Sequence, residues 1–268
     1  MVSQRAPSLS VLLLTEDSGT EAFATFQKLA KELLKQVDAY VQTQQERLAF
    51  EPVRSKEALQ ALHANVWKSD KPRDRQKQVA LLGTLATQLM LENGWALFHF
   101  DGDRSWANRA SSENVAKFRE RVWEKVRLLI RMKLEGRDTE AGRPVVPDEL
   151  DERATRRMTR LKQIVPFYSI EAWLFQNTQE ALRLCHSHYQ GRDAERFQQW
   201  EQDRAALDEV LKPKEEVCLG AKHNLDLASQ GFPSREARSA GKSFEAVVQS
   251  LAQDEELRDA LSRTYAYE

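Results

Sequence analysis

Acidic side chains recur at three places where short apolar runs stop. The run ending at Thr15 gives way to Glu16 and Asp17, with Glu21 shortly beyond; Trp95 to Phe100 gives way to Asp101-Gly102-Asp103; and Ile164 to Phe167 leads to Glu171. Carboxylates brought together repel and raise one another's pKa, so a group of four or five is tolerated chiefly around a divalent cation. Hard oxygen donors select Mg²⁺ or Mn²⁺ over Zn²⁺. Asp101 and Asp103 are two residues apart, so an extended backbone sends both carboxylates the same way, and Gly102 permits a bend and a close ligand. The pair is expected to hold one ion jointly. Each acid also has a plainer role: Asp-Gly-Asp is a common turn, and Glu16 and Glu171 suit a first helical turn. For Glu171 that plainer role has Ser169 as N-cap, with Trp173 and Leu174 in the core.

A dication in such a site activates water and stabilises a leaving oxygen at phosphorus, and a phosphate substrate also asks for cations. Arg153, Arg156, Arg157 and Arg160 share one helix face at i, i+3, i+4 and i+7, which suits a phosphate backbone. Paired instead with Asp148, Glu149, Asp151 and Glu152, they form an ordinary solvated face. His99 lies beside the acids, where a buried, hydrogen-bonded core histidine is the plainer account. Cys185 and His188 with Cys218 and His223 are loosely zinc-finger-like, against a reading as ordinary helix residues. The tryptophans are scattered and read as core rather than stacking platforms.

These side chains need a scaffold. The 268 residues allow one large or two small domains, and 40 Lys+Arg against 41 Asp+Glu exclude a polybasic or acidic tail. Ten Gly and eight Pro are few for this length and favour helix. No apolar stretch approaches the ~18 residues of a membrane span, the apolar start lacks a small-residue cleavage site, and two cysteines make no disulfide framework. A cytoplasmic protein is expected.

Strands are predicted at Ser10 to Thr15, Leu48 to Val53, Trp95 to Phe100 and Ile164 to Phe167. Helices are predicted from about Thr20 to Gln44, from Val79 to Met90 and through Val115 to Ile130. Residues 134–152, with two Gly and two Pro, read as a mobile insertion. From Ser169 onward the pattern is helical. The expected fold is α/β, with a small parallel sheet of about four strands flanked by helices in residues 1–176 and a helical C-terminal region, 177–268, packed on it. Ligands of open parallel sheets bind at the carboxyl ends of the strands, where the acids stand.

The segments LLLTEDSGTEAF and ALFHFDGD together resemble the Toprim signature, a Glu after the first strand and an Asp-x-Asp after a later one. VPFYSIEAWLF resembles a segment of Toprim-like proteins encoded beside ABC-type or SMC-like ATPases in bacterial defence loci. The resemblance spans roughly Ser10 to Gln176. It implies a Toprim-like core and a nuclease dependent on Mg²⁺ or Mn²⁺, cutting DNA or RNA as the effector of an anti-phage system with an ATPase partner. It also implies Glu16 as catalytic residue, and Asp101 and Asp103 as the metal pair with Glu171 and Glu21 as further carboxylates. Many nuclease-type relatives read Glu-Gly-x-Thr/Ser-Glu, whereas this chain has Asp17 in the glycine place and one extra residue before Glu21. Two alternatives stand beside this reading: a non-catalytic interaction subunit and a metal-dependent phosphoesterase acting on nucleotides. The near-neutral charge disfavours autonomous tight binding of nucleic acid, a tension that a partner delivering the substrate would relieve.

Overall fold

Four short strands pair side by side in the computed structural model, which describes residues 9–38 and 48–263. They are β1 (Leu9–Thr15), β2 (Leu48–Pro52), β3 (Gly94–His99) and β4 (Leu161–Ile164), all parallel in the order β2-β1-β3-β4. The central strands β1 and β3 are buried almost throughout, as a parallel sheet covered on both faces requires. Alternation then divides their side chains between two cores. Leu9, Val11, Leu13, Trp95 and Leu97 face one, while Leu12, Leu14, Ala96 and Phe98 face the other.

Helix α1 (Ala22–Val37) covers the first face. The second is covered by α2 (Lys56–His63), α3 (Arg75–Met90), α4 (Glu113–Phe118), α5 (Glu124–Glu140) and α6 (Pro147–Met158). A π-helical turn, Arg119–Trp123, joins α4 to α5. Ser55 caps α2, an element the periodicity does not reveal, by accepting the Ala58 N–H at 3.2 Å. After α7 (Glu171–Leu174), the C-terminal part contributes α8 (Thr178–Tyr189), α9 (Ala194–Gln202), α10 (Asn224–Ser229), α11 (Ser234–Ser239), α12 (Lys242–Ala252) and α13 (Glu255–Arg263). Their buried residues, from Ala181 to Leu261, belong to the same core as Leu9 and α1. The C-terminal helices complete the layer over one face of the sheet.

Three expectations change. Residues 134–152 are not a mobile insertion: α5 runs through Gly136 to Glu140, and α6 starts with Pro147 at its first turn, where a missing N–H costs nothing. Buried Asp138 ties the short link by pairing with Arg143 at 2.6 Å and Arg153 at 2.5 Å. The fourth strand is Leu161–Ile164 rather than Ile164 to Phe167, because an edge strand tolerates Lys162 and Gln163, and polar residues hide it from an apolar search. Helix α1 stops at Val37 with Asp38 as C-cap, and the remainder of the predicted Thr20 to Gln44 helix lies outside the described residues.

Inside the shared core the Trp173 indole N–H donates to Ser243 Oγ at 2.7 Å, and the Ser243 hydroxyl donates to Asp208 Oδ1. Burial raises the Asp208 carboxyl to about 7, against the opposing bonds from Ser243.

This packing has two measurable outcomes. A chain ending at Gln176 uncovers side chains such as Leu13, Phe26, Leu29, Leu33, Trp95 and Leu97, each worth about 1.5 to 3 kcal/mol on burial. Losing half a dozen rivals the whole ~5 to 15 kcal/mol stability of a domain, so the fragment should show no cooperative urea transition by near-UV circular dichroism. The second concerns Asp208, whose folded form keeps a proton that the unfolded chain releases near its ordinary value of 3.8. Its contribution is therefore full at low pH and falls as pH rises to about 7. Asp208→Asn should lose this decline when urea midpoints of both proteins are compared across that window.

Candidate active site

β1 and β3 are neighbours, so the residues that succeed each strand are delivered to one place at the carboxyl edge. Thr15 and His99 stand opposite in register, and the Glu16 N–H donates to His99 O at 3.3 Å. The Asp101 N–H donates to Glu16 Oε1 at 2.9 Å, and Lys68 Nζ, from the 3-10 turn Val66–Lys68, lies 2.9 Å from Glu16 Oε2. Asp101 Oδ1 accepts the Ile170 N–H at 3.1 Å, which brings the start of α7 against the same edge. There Glu171 is buried, accepts from the Ser169 hydroxyl at 2.5 Å and lies 3.7 Å from Lys214 Nζ.

Crowding is visible in the electrostatics. Burial, then Glu16, Asp17 and Glu171, hold the Asp101 carboxyl well above the usual carboxylate range, against the Ile170 N–H. Burial likewise raises Asp17, opposed by Lys214, by the Thr15 hydroxyl and by His63. His99 is fully buried, and desolvation lowers it to about 4 despite nearby Glu16 and Glu171, so its ring is neutral at pH 7. Its Nδ1 bonds Thr15 Oγ1 at 2.9 Å, while Nε2 has no hydrogen-bond partner among the described residues and lies 3.7 Å from Asp101 Oδ1.

Glu16, Asp17, Asp101 and Glu171 are thus set against the ammonium groups of Lys68 and Lys214. Fully ionised, that set carries an excess of two negative charges, and every acidic donor is a hard oxygen. Charge and donor type both suit Mg²⁺ or Mn²⁺, and these four carboxylates are the ones that would hold it. As the side chains stand, they bond to protein donors, and among the described residues no three His, Cys, Asp or Glu are grouped closely enough to grip an ion.

Several expected participants lie elsewhere. Asp103 does not point with Asp101: its φ of 54° breaks the extended alternation, and its carboxylate accepts the Ser112 hydroxyl at 2.8 Å and faces Arg104 at 3.7 Å. Gly102 makes room for the Phe167 ring rather than for a ligand, since a Cβ there would meet ring atoms at 2.5 Å. Glu21 is the exposed N-cap of α1 and is not among the charges acting on Asp101.

The arginine face is at the wrong end of the sheet. Helix α6 feeds the amino end of β4, so its last turn lies at the edge opposite the acids. There Arg153 pairs with Asp138, Arg157 donates to Leu91 O at 2.8 Å, and Arg160 bonds Glu256 and, at 2.7 Å, Glu92 O. Arg156 is exposed. In the suggested zinc set, Cys185 Sγ and Cys218 Sγ are 3.1 Å apart, burial pushes the Cys218 thiol up to about 12, and His223 bonds Tyr189 at 3.1 Å. No metal grouping arises there among the described residues.

Lys68 and Lys214 join the site without any signal in the sequence, and Asp17, read among the acids that end the first strand, joins it without having been expected as a ligand. Asp17 directly succeeds Glu16, a sufficient signal, but Lys68 and Lys214 come from loops with no pattern that points to the edge. No family model, curated protein or solved structure matches this chain.

Replacing Asp101 removes the charge that the site accommodates worst. Asp101→Asn should raise the melting temperature in EDTA at pH 7, where wild type must either ionise or stay protonated among acids. Millimolar Mg²⁺ or Mn²⁺ should stabilise wild type and leave the variant's melting curve in place.

Proposed function

We propose that this chain is a Mg²⁺- or Mn²⁺-dependent phosphodiester hydrolase of Toprim type, cutting nucleic acid as the effector of a bacterial defence pair with an ATPase partner. The observation that carries the reading is the convergence of Glu16, Asp17 and Glu171 on Asp101 at the carboxyl edge of a parallel sheet. That is where open α/β sheets bind ligands and where the Toprim resemblance puts its Glu and first Asp.

A bound divalent cation would supply an activated water and neutralise charge on the phosphate. The chain's own residues prepare the place. The Asp101 N–H orients Glu16, and Lys68 balances it. Lys214 has a side chain 55% exposed, so it is free to meet a phosphate oxygen while anchored near Glu171. Neutral His99 keeps its unpartnered Nε2 toward Asp101 without adding a positive charge that would compete with the ion. The ATPase partner belongs to this reading because a chain of formal charge −1 lacks the basic excess for tight autonomous binding.

The interaction-subunit alternative is favoured by one feature, the engagement of both Glu16 oxygens by protein donors. Cleavage assays separate the two. With Mn²⁺ and the partner present, Glu16→Gln and Asp101→Asn should each lose at least about 100-fold in rate, the scale at which removing a charge-stabilising group acts. Asp103→Asn and Glu21→Gln should stay within a few-fold of wild type. Full activity in Asp101→Asn would sink the hydrolase reading.

A further inference from the structure

A cationic groove begins one residue beyond the lysine that reaches the acidic edge. Lys68 contacts Glu16, and the next residue, Ser69, lines a groove of about 520 Å³ with Asn65, Lys71, Arg73, Asp74 and Lys77. Lys71 and Arg73 are exposed, Lys77 is half-buried, and none of the three forms an ion pair among the described residues. The local acids are otherwise engaged: Asp70 pairs with Arg121 at 2.7 Å, and Asp74 accepts the Ser69 hydroxyl at 2.5 Å.

Asp74 precedes α3 and makes no side-chain bond to its amides; the 3-10 turn Pro72–Asp74 runs straight into the helix, with the Arg75 N–H bonded to Pro72 O, so the positive charge here comes from the three cations. The lining is held in place. Gln78 Nε2 donates to Val66 O at 2.8 Å and Ser69 O at 2.6 Å, and Arg121 donates to Lys68 O at 2.8 Å. Topology puts the groove on the correct side: α3 precedes parallel strand β3, so its first turn lies at the carboxyl edge with Glu16 and Asp101. The arginines of α6 sit at the other edge because their helix ends where β4 begins.

We infer that this groove is a second phosphate-binding site, taking the backbone that flanks the bond held at the acidic edge, so that the substrate is a polynucleotide strand rather than a single nucleotide. The substrate assignment rests on the hydrolase reading; the groove's affinity for phosphate does not. Lys71, Arg73 and Lys77 exceed Asp74 by two charges, enough to hold neighbouring phosphates but too few to bind duplex tightly alone. That agrees with a chain that depends on a partner for delivery.

The test is binding without cleavage. A fluorescein-labelled DNA single strand of about 20 nucleotides is titrated with the full chain in EDTA, by fluorescence anisotropy, between about 50 and 200 mM salt. Arg73→Ala with Lys77→Ala should weaken binding about tenfold at the lower salt and reduce the slope of log affinity against log salt by about 1.4, the loss of two single-strand contacts. Arg156→Ala, an exposed cation at the opposite edge, should change neither.

An unlabelled mononucleotide or inorganic phosphate should displace the strand only at about 100-fold higher concentration or more, since each offers one of several contacts. An unchanged slope in the double variant, an equal loss in Arg156→Ala, or no strand binding by wild type would overturn the inference and leave the cations to an acidic protein. Displacement by a mononucleotide at parity would overturn it in favour of a nucleotide substrate. Failure of the hydrolase reading looks different: the strand binds with its full salt slope and Mn²⁺ produces no cut. That result overturns the substrate assignment while keeping the groove as a phosphate site.

Discussion

Glu16 takes the Asp101 amide on one oxygen and the Lys68 ammonium on the other, and the carboxyl edge is organised around that carboxylate. The first bond locks the ends of β1 and β3 together beyond the last pair of the ladder. The second draws in the turn Val66–Lys68, with which the groove before α3 begins. Asp101, fixed through its backbone, then receives the Ile170 amide on its side chain and so sets the start of α7 and Glu171. Each attachment adds an acid or a cation to a small volume. Burial first, and then the neighbouring acids, weigh on Asp101, while Lys68 and Lys214 stand against Glu16 and Glu171.

The C-terminal helices have two roles in this arrangement. They cover one face of the sheet, sharing a core with α1, and they carry Lys214 on the turn Pro213–Glu215 to within reach of Glu171. The bond from Trp173 to Ser243, with Asp208 behind it, holds α7 from below. A site that looked in sequence like a property of the first two-thirds of the chain is completed by the last third.

The central strands were legible because β1 and β3 are apolar on both faces and stop at charged residues, a contrast that needs no knowledge of tertiary structure. Edge strand β4 is harder to place, because Lys162 lies inside it. Gly136, Gly142 and Pro147 suggested a break at 134–152, yet Pro147 starts a helix and Gly136 rides within one. For Asp103, a two-residue spacing aligns carboxylates only along extended backbone, which a single residue with φ of 54° interrupts. The arginine face is the most instructive case. Residues that immediately precede a parallel strand lie at its amino end, so chain order alone separates Arg153 to Arg160 from the acids. Lys68 and Lys214 could not be found this way, because loop residues reach a site through distances that only folding defines.

Gly102 has a consequence for how variants of this chain would be interpreted. Situated between two aspartates, it invites a catalytic explanation for any loss of function on substitution. Its neighbour is instead the ring of Phe167, on the link that carries the chain from β4 to Glu171, and even a methyl group would press against that ring. The glycine therefore acts as a spacer gauge between the ends of two strands. Damage from a larger residue would arrive at Glu171 as misalignment, and a compensating smaller side chain at position 167 would be the natural second-site suppressor.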